Sequence, residues 1–161
     1  TIIRDAQHQA ARQIVNGGIV VTDDLARPHE RNQVHPSNKR PVGRRLAYLA
    51  LNRDYGFSSV NCYSPEAQEA WVEGDMVCVK LSYAQNGLDR WEGVKGLEVC
   101  GEDGVFYPVS EALYDWDHVL NIRCEKVKRP VEVRYCYRDF NPGNLHNTVG
   151  LPVAPFRFRF E

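Results

Sequence analysis

No stretch of this sequence comes near the roughly 18 consecutive apolar residues that a membrane-spanning helix needs. Ile19-Val20-Val21 is enough for a short buried strand and no more. An excess of charge of one sign is missing too: 20 Lys and Arg stand against 21 Asp and Glu, a formal net of -1. Such a balance offers no basic surface, so neither nucleic acid nor an anionic membrane is expected as a partner. The five cysteines, Cys62, Cys78, Cys100, Cys124 and Cys136, include no CxxC pair and no Cys/His cluster at zinc spacing. His8, His29, His118 and His146 likewise lack metal-ligand spacing and receive no role. No metal and no other cofactor is therefore expected. The odd cysteine count argues against a complete disulfide framework, though one bridge in an oxidising compartment stays open. Cys78, Cys124 and Cys136 fall inside expected strands, where a thiol serves as a small hydrophobe.

There is also no initiator Met and no basic-then-apolar leader before Thr1, and the opening reads as the cleaved or trimmed edge of a longer chain. An N-terminal Thr can act as a nucleophile, but nothing near Thr1 resembles the glycine-lined strand such enzymes use.

What is present divides into two textures. Asp5 to Val15 carries Ala10, Ala11 and Ile14 on one helical face, and Asn16-Gly17-Gly18 is a natural stop. Ile19 to Thr22 reads as a strand covered on both faces. Asp23 to Lys39 is polar, charged and almost free of apolar residues, as expected of a functional loop at a strand's carboxyl end. Pro41 suits a helix's first turn, Val42, Leu46, Leu49, Ala50 and Arg53 keep helical spacing, and Gly56 stands where a C-cap belongs. From Val60 onward, Met76–Tyr83, Leu97–Cys100, Val119–Cys124 and Val131–Tyr137 are short alternating stretches separated by turns such as Gln85-Asn86-Gly87 and Asp103-Gly104. Period-two patterning of this kind marks half-buried strands, and about 100 residues of it suits a β-sandwich.

The informative block is His35-Pro36-Ser37-Asn38-Lys39-Arg40-Pro41-Val42-Gly43-Arg44-Arg45-Leu46-Ala47. A lone loop histidine is usually without function. His35, however, follows a buried strand, precedes a proline that stiffens its backbone, and leads into an anchoring helix. The block resembles the histidine motif of the sialate O-acetylesterases, SGNH-type hydrolases that remove acetyl groups from sugar hydroxyls. That family reads approximately as an R-x-x-Q helix, a strand entering an Asp, then I-H-P-x-N-K-x-P-V-G-x-R-L-A and a Tyr-Gly. The counterparts here are Arg4 to Gln7, Ile19 to Asp24, Val34 to Ala47, and Tyr55-Gly56. Similarity continues through Gly101-Glu102-Asp103, Pro130 to Tyr135, Asn144 to Asn147 and Gly150 to Arg157.

The resemblance implies an α/β plus β architecture. Residues 1–57 would be the final strand–loop–helix unit of an SGNH-type α/β hydrolase domain, and residues 58–161 a β-sandwich-like module. It implies ester hydrolysis on an acetylated sugar, with His35 as the catalytic base for a serine nucleophile. It also implies a secreted or periplasmic setting. Imidazoles as a class titrate near 6.5, which suits the proton transfers required.

Two parts of that machinery are absent. The family's serine sits in a Gly-x-Ser-type turn far upstream of the histidine, and Ser37, Ser58, Ser59, Ser64, Ser82 and Ser110 all lie after His35. The nucleophile is therefore expected from an N-terminal part of the same enzyme, in the same precursor or as a separate chain. The family's acid lies two or three residues before the histidine, where this chain has Asn32 and Gln33. An amide can orient a ring but cannot offset its charge, so Asp23 or Asp24 reaching across the loop is the remaining internal source. Their simpler role is an end-of-strand turn.

The alternative is a noncatalytic carbohydrate-binding or structural module of the same descent. Arg44 and Arg45 either bind an anionic sugar or, as residues on an exposed helix face more commonly do, stay solvated or ion-paired. Trp71, Trp91 and Trp116 either stack on sugar rings or anchor the β-module, the commoner role. The Gly150–Phe156 segment reads as an apolar strap docking that module onto the helical body.

Overall fold

A computed structural model describes residues 2–33, 35–89, 93–109 and 111–160. Thr1, Val34, Trp91 and Ser110, which entered the readings above, lie outside the described residues. The chain begins with helix α1 (Ile2–Gln13). The turn that follows it contains Asn16, whose φ of 60° is the left-handed conformation that stops a helix. The backbone then runs tightly against helix α2 (Arg40–Arg53). A Cβ at Gly18 would lie 2.6 Å from Leu49 Cδ2 and 2.8 Å from Arg53 Nη1, and the Arg53 guanidinium donates to the Gly17 carbonyl. Glycine is what permits that approach.

The strand expected over Ile19–Thr22 does not form. Val21 is buried, but its carbonyl accepts from Arg45 Nη1 at 2.8 Å instead of from a neighbouring strand. A strand exists by pairing, and none of the described strands runs beside this segment. A 3-10 turn (Pro28–Glu30) follows within the polar loop. In α2 the apolar pattern misleads at one position: Leu46 is 50% exposed, whereas Arg45 faces inward and is only 4% exposed. After Gly56 (φ 75°), Asn52 Nδ2 donates to the carbonyls of Ser58 and Val60 and ties down the connector.

The remainder is a sandwich of two four-stranded antiparallel sheets. The first contains β1 (Glu66–Glu73), β2 (Met76–Ser82), β6 (Ala112–Tyr114) and β7 (Val119–Arg123), in the order β1-β2-β7-β6. The second contains β4 (Leu97–Cys100), β5 (Phe106–Pro108), β8 (Glu132–Tyr135) and β10 (Phe156–Arg159), in the order β10-β8-β4-β5. A short pair, β3 (Leu88–Asp89) with β9 (His146–Asn147), lies to one side. Val77 pairs with Ile122 and Val79 with Leu120, and these meet Leu97, Val99, Val133 and Tyr135 of the other sheet in one core. Each such side chain contributes on the order of 1.5–3 kcal/mol by leaving water. The Tyr135 hydroxyl accepts from the Leu145 amide at 2.9 Å. A Cβ at Gly143 would lie 2.1 Å from that hydroxyl, so glycine is required there.

All five cysteines are free and buried, the role expected of small hydrophobes. On the outer face of the second sheet, buried Glu132 accepts from Arg157 and Arg159, and buried Glu98 pairs with Arg134 and Arg138. Leu151 to Ala154 are buried, with the Val153 amide on the Leu145 carbonyl and the Ala154 amide on the Pro65 carbonyl. Trp71 is half-buried and donates to Glu73, whereas Trp116, expected as a buried anchor, is 98% exposed.

Candidate active site

The loop carrying His35 is built around one buried carboxylate. Pro28 sets the first residue of the 3-10 turn, and Glu30 closes it, its amide donating to the Arg27 carbonyl at 2.8 Å. The Glu30 side chain then turns back. Oε2 accepts the Arg27 amide at 2.9 Å and Oε1 accepts the Ser37 amide at 2.7 Å. These hydrogen bonds, first the Arg27 amide and then the Ser37 hydroxyl and amide, hold the Glu30 carboxyl down at about 2. One side chain thus fastens the loop on both sides of His35. The Gln33 amide adds a bond to the Glu30 carbonyl.

His35 itself is exposed and makes no hydrogen bond to any described residue. Asn32 and Gln33, which stand where an orienting acid is expected, are exposed as well and do not engage it. The two aspartates at the root of the loop are committed elsewhere. Asp23 Oδ2 lies 2.8 Å from Arg4 Nη1 of α1, and Arg4 also donates to the Arg138 carbonyl beyond β8. Asp24 takes a bidentate bond from Arg45, Nη1 to Oδ1 at 2.7 Å and Nη2 to Oδ2 at 2.6 Å.

The Asp24 Oδ2 also lies 3.2 Å from His146 Nε2, whose other ring nitrogen faces the Asn144 carbonyl at 3.2 Å. Burial pushes the Asp24 carboxyl up, but the bonds from Arg45 and His146 outweigh it and hold it at about 2. Arg45 is therefore a structural partner of the loop, not a residue of an exposed helix face. Arg44 remains exposed.

The structure thus brings together Asp24, Arg45 and His146, from the loop root, α2 and β9, and leaves His35 apart at the loop's surface. Two of the residues that shape this region escaped the sequence reading. Glu30 carried a local signal, an acid three residues after Arg27 with Pro28 between, which is a turn-capping pattern. His146 fell inside the matching Asn144–Asn147 block, but nothing there told of its pairing with Asp24, 122 residues away. Among the described residues no group of three or more His, Cys, Asp or Glu is arranged to hold a metal ion. No helix among them is long and apolar enough to cross a membrane.

The chain is similar in fold to a solved structure, that of a carbohydrate acetylesterase from Xanthomonas citri. The match has a TM-score of 0.85 and 29% sequence identity and covers 99% of this chain. It covers 36% of that neighbour, so the chain spans about a third of the neighbour's length. No family model matches the sequence, and no curated protein matches it. The likeness is acetylesterase-type and runs through both the helical segment and the sandwich.

Proposed function

We propose that this chain is part of a carbohydrate O-acetylesterase in which His35 is the general base and the serine nucleophile lies outside these 161 residues. The observation that carries the reading is the 99% coverage of the chain by a carbohydrate acetylesterase fold. Two further features support it. Glu30 anchors the loop on either side of His35, as a base that must be positioned requires. The helical segment also leaves Ile3, Val15, Leu46 and Tyr55 between 50% and 87% exposed, apolar surface that suits cover by a further protein body.

In this reading His35 accepts the serine Oγ proton as Oγ attacks the acetyl carbonyl. The imidazolium returns that proton to the sugar oxygen as the ester C–O bond breaks. His35 next deprotonates a water that attacks the acetyl-serine, and the proton passes to Oγ as acetate leaves. Acetylated sugars of the sialate type are the substrate class that the sequence resemblance favours. The SGNH-type organisation of residues 1–57, the β-sandwich module of 58–161 and a secreted or periplasmic location belong to the same proposal.

A second reading has an observation of its own. Asp23 and Asp24 are bound to other partners, and the exposed side chains of Asn32 and Gln33 make no hydrogen bond to His35, which favours a noncatalytic carbohydrate-binding or structural module. Turnover of p-nitrophenyl acetate by the full-length protein, with and without His35→Ala, decides between them. The catalytic reading expects a loss of about 10²–10⁴-fold with an unchanged melting temperature. Equal, measurable rates would remove His35 from the mechanism.

A further inference from the structure

A groove of about 490 Å³ lies between the β6–β7 hairpin and the Gln85–Leu88 turn, in the size range of small-ligand clefts. Its lip is Trp116, which is 98% exposed. The position of Trp116 is nevertheless built. Asp115 Oδ1 accepts the amides of Asp117 at 3.0 Å and Val119 at 2.9 Å, and Oδ2 accepts from Asn121 Nδ2 at 2.8 Å. His118 takes a φ of 66°, the left-handed residue that closes a three-residue hairpin loop. The hairpin therefore presents an indole to water from a braced support.

The opposite wall is tied to the same hairpin. The Tyr114 hydroxyl donates to the Ala84 carbonyl at 3.0 Å, and the Gly87 amide closes the turn on that carbonyl at 2.9 Å. The floor is apolar, formed by buried Leu120 and Leu145. At the rim stand the side-chain amides of Gln85 and Asn86, which are exposed and make no hydrogen bond to any described residue. His118 turns Nδ1 toward the Tyr114 hydroxyl at 3.4 Å, and no described residue meets its Nε2.

From these features we infer that the Trp116 groove is a binding site for a neutral saccharide chain. A pyranose ring is apolar on its C–H faces and ringed by hydroxyls that both donate and accept. An indole face matches the first property, and primary amides, which also donate and accept, match the second. Rigid presentation lowers the ordering cost of binding. Charge selects among sugars: among the described residues no Lys or Arg lines the groove, while Asp115 lines it and Asp117 sits on the same loop. A carboxylated sugar would meet repulsion there, and a nucleic acid or phosphorylated ligand would find no counter-charge. The inference stands on the groove alone and does not depend on the role of His35.

Native gel electrophoresis of the full-length protein tests it, in gels containing hydroxyethyl cellulose, arabinoxylan or galactomannan, with polygalacturonate as the anionic probe. Retardation by at least one neutral polymer is expected, weakened on the order of tenfold or more in Trp116→Ala. Part of it should return in Trp116→Phe. Substitution at so exposed a position leaves folding intact, which the thermal melt reports independently. Retardation that is absent from all three neutral gels, unchanged in Trp116→Ala, or confined to polygalacturonate would overturn the proposal. Retention lost in Trp116→Ala but kept in His35→Ala, with the converse for aryl acetate turnover, separates this site from the proposed catalytic role.

Discussion

The helical segment and the sandwich are held together by opposite means. In residues 2–57 only Val21, Leu25 and Leu49 are buried hydrophobics among the described residues, and the inward position of α2 next to the loop belongs to an arginine. That segment relies on charged groups: ion pairs of Arg45 with Asp24 and Arg4 with Asp23, and hydrogen bonds from backbone amides to Glu30. In the sandwich, two sheets enclose a continuous apolar core, and the charged residues lie on its outer face. A segment that organises itself around carboxylates can hold polar side chains at its surface in fixed places, which a reactive loop needs. A core of Val, Leu and Ile supplies rigidity without specificity, and it leaves specificity to exposed features such as Trp116.

Substitutions sharpen this contrast, taken here from the largest expected effect. Leu97→Ala removes a 1% exposed side chain from the sandwich core and should cost in the upper part of the roughly 2–5 kcal/mol range for such cavities. The shift in urea midpoint measures it, and a cost under about 1 kcal/mol would refute the close packing ascribed to this core. Arg45→Ala strands the Asp24 carboxylate and should cost about 3 kcal/mol, confined to the helical segment. Hydrogen exchange should then show α2 amides losing protection while β2 and β7 keep theirs; a uniform loss would mean that the two halves are one cooperative unit.

Acid should loosen the same segment. The carboxyls of Asp24 and Glu30 lie at about 2, below their ordinary values of 3.8 and 4.5. Their stabilisation is therefore complete above the ordinary values and is lost as pH falls through about 2. Asp24 contributes about 1–2 kcal/mol, allowing for solvent screening. Circular dichroism between pH 5 and 2 should show helical signal fading before strand signal, and simultaneous loss would contradict the assignment. The smallest effect belongs to Leu46→Ala. In this chain alone the side chain is half in water and the substitution should cost less than about 1 kcal/mol. A larger cost in the full-length protein would identify Leu46 as part of a contact with the N-terminal body proposed above.

Much of the architecture was legible because it is local. The alternation of Val77, Val79 and Leu81 marks β2, Leu97–Cys100 marks β4, and the Asn16-Gly17-Gly18 stop and Gly56 bracket the helices closely. The edge strands β1, β5 and β6 were missed because mixed or very short strands carry weak alternation, and β10 was missed despite a strict one. In β10, Arg157 and Arg159 alternate with Phe156 and Phe158 at the chain's end, a pattern that became interpretable only beside Glu132 of β8. The expected strand at Ile19–Thr22 failed for the converse reason: its apolar run is real, but pairing depends on a neighbour.

The sequence by itself determined the two-part texture, the position of the polar loop and its histidine, and the lack of any serine between Thr1 and that histidine. These follow from periodicity and from residues adjacent in the chain, where spacing dictates which face a side chain occupies. Only the tertiary structure decided that Arg45 turns inward while Leu46 stays out, that Asp24 belongs to Arg45 and His146 instead of His35, and that Trp116 stands in water over a groove. Each depends on a partner far along the chain, and a charge buries itself only where folding delivers its counter-charge.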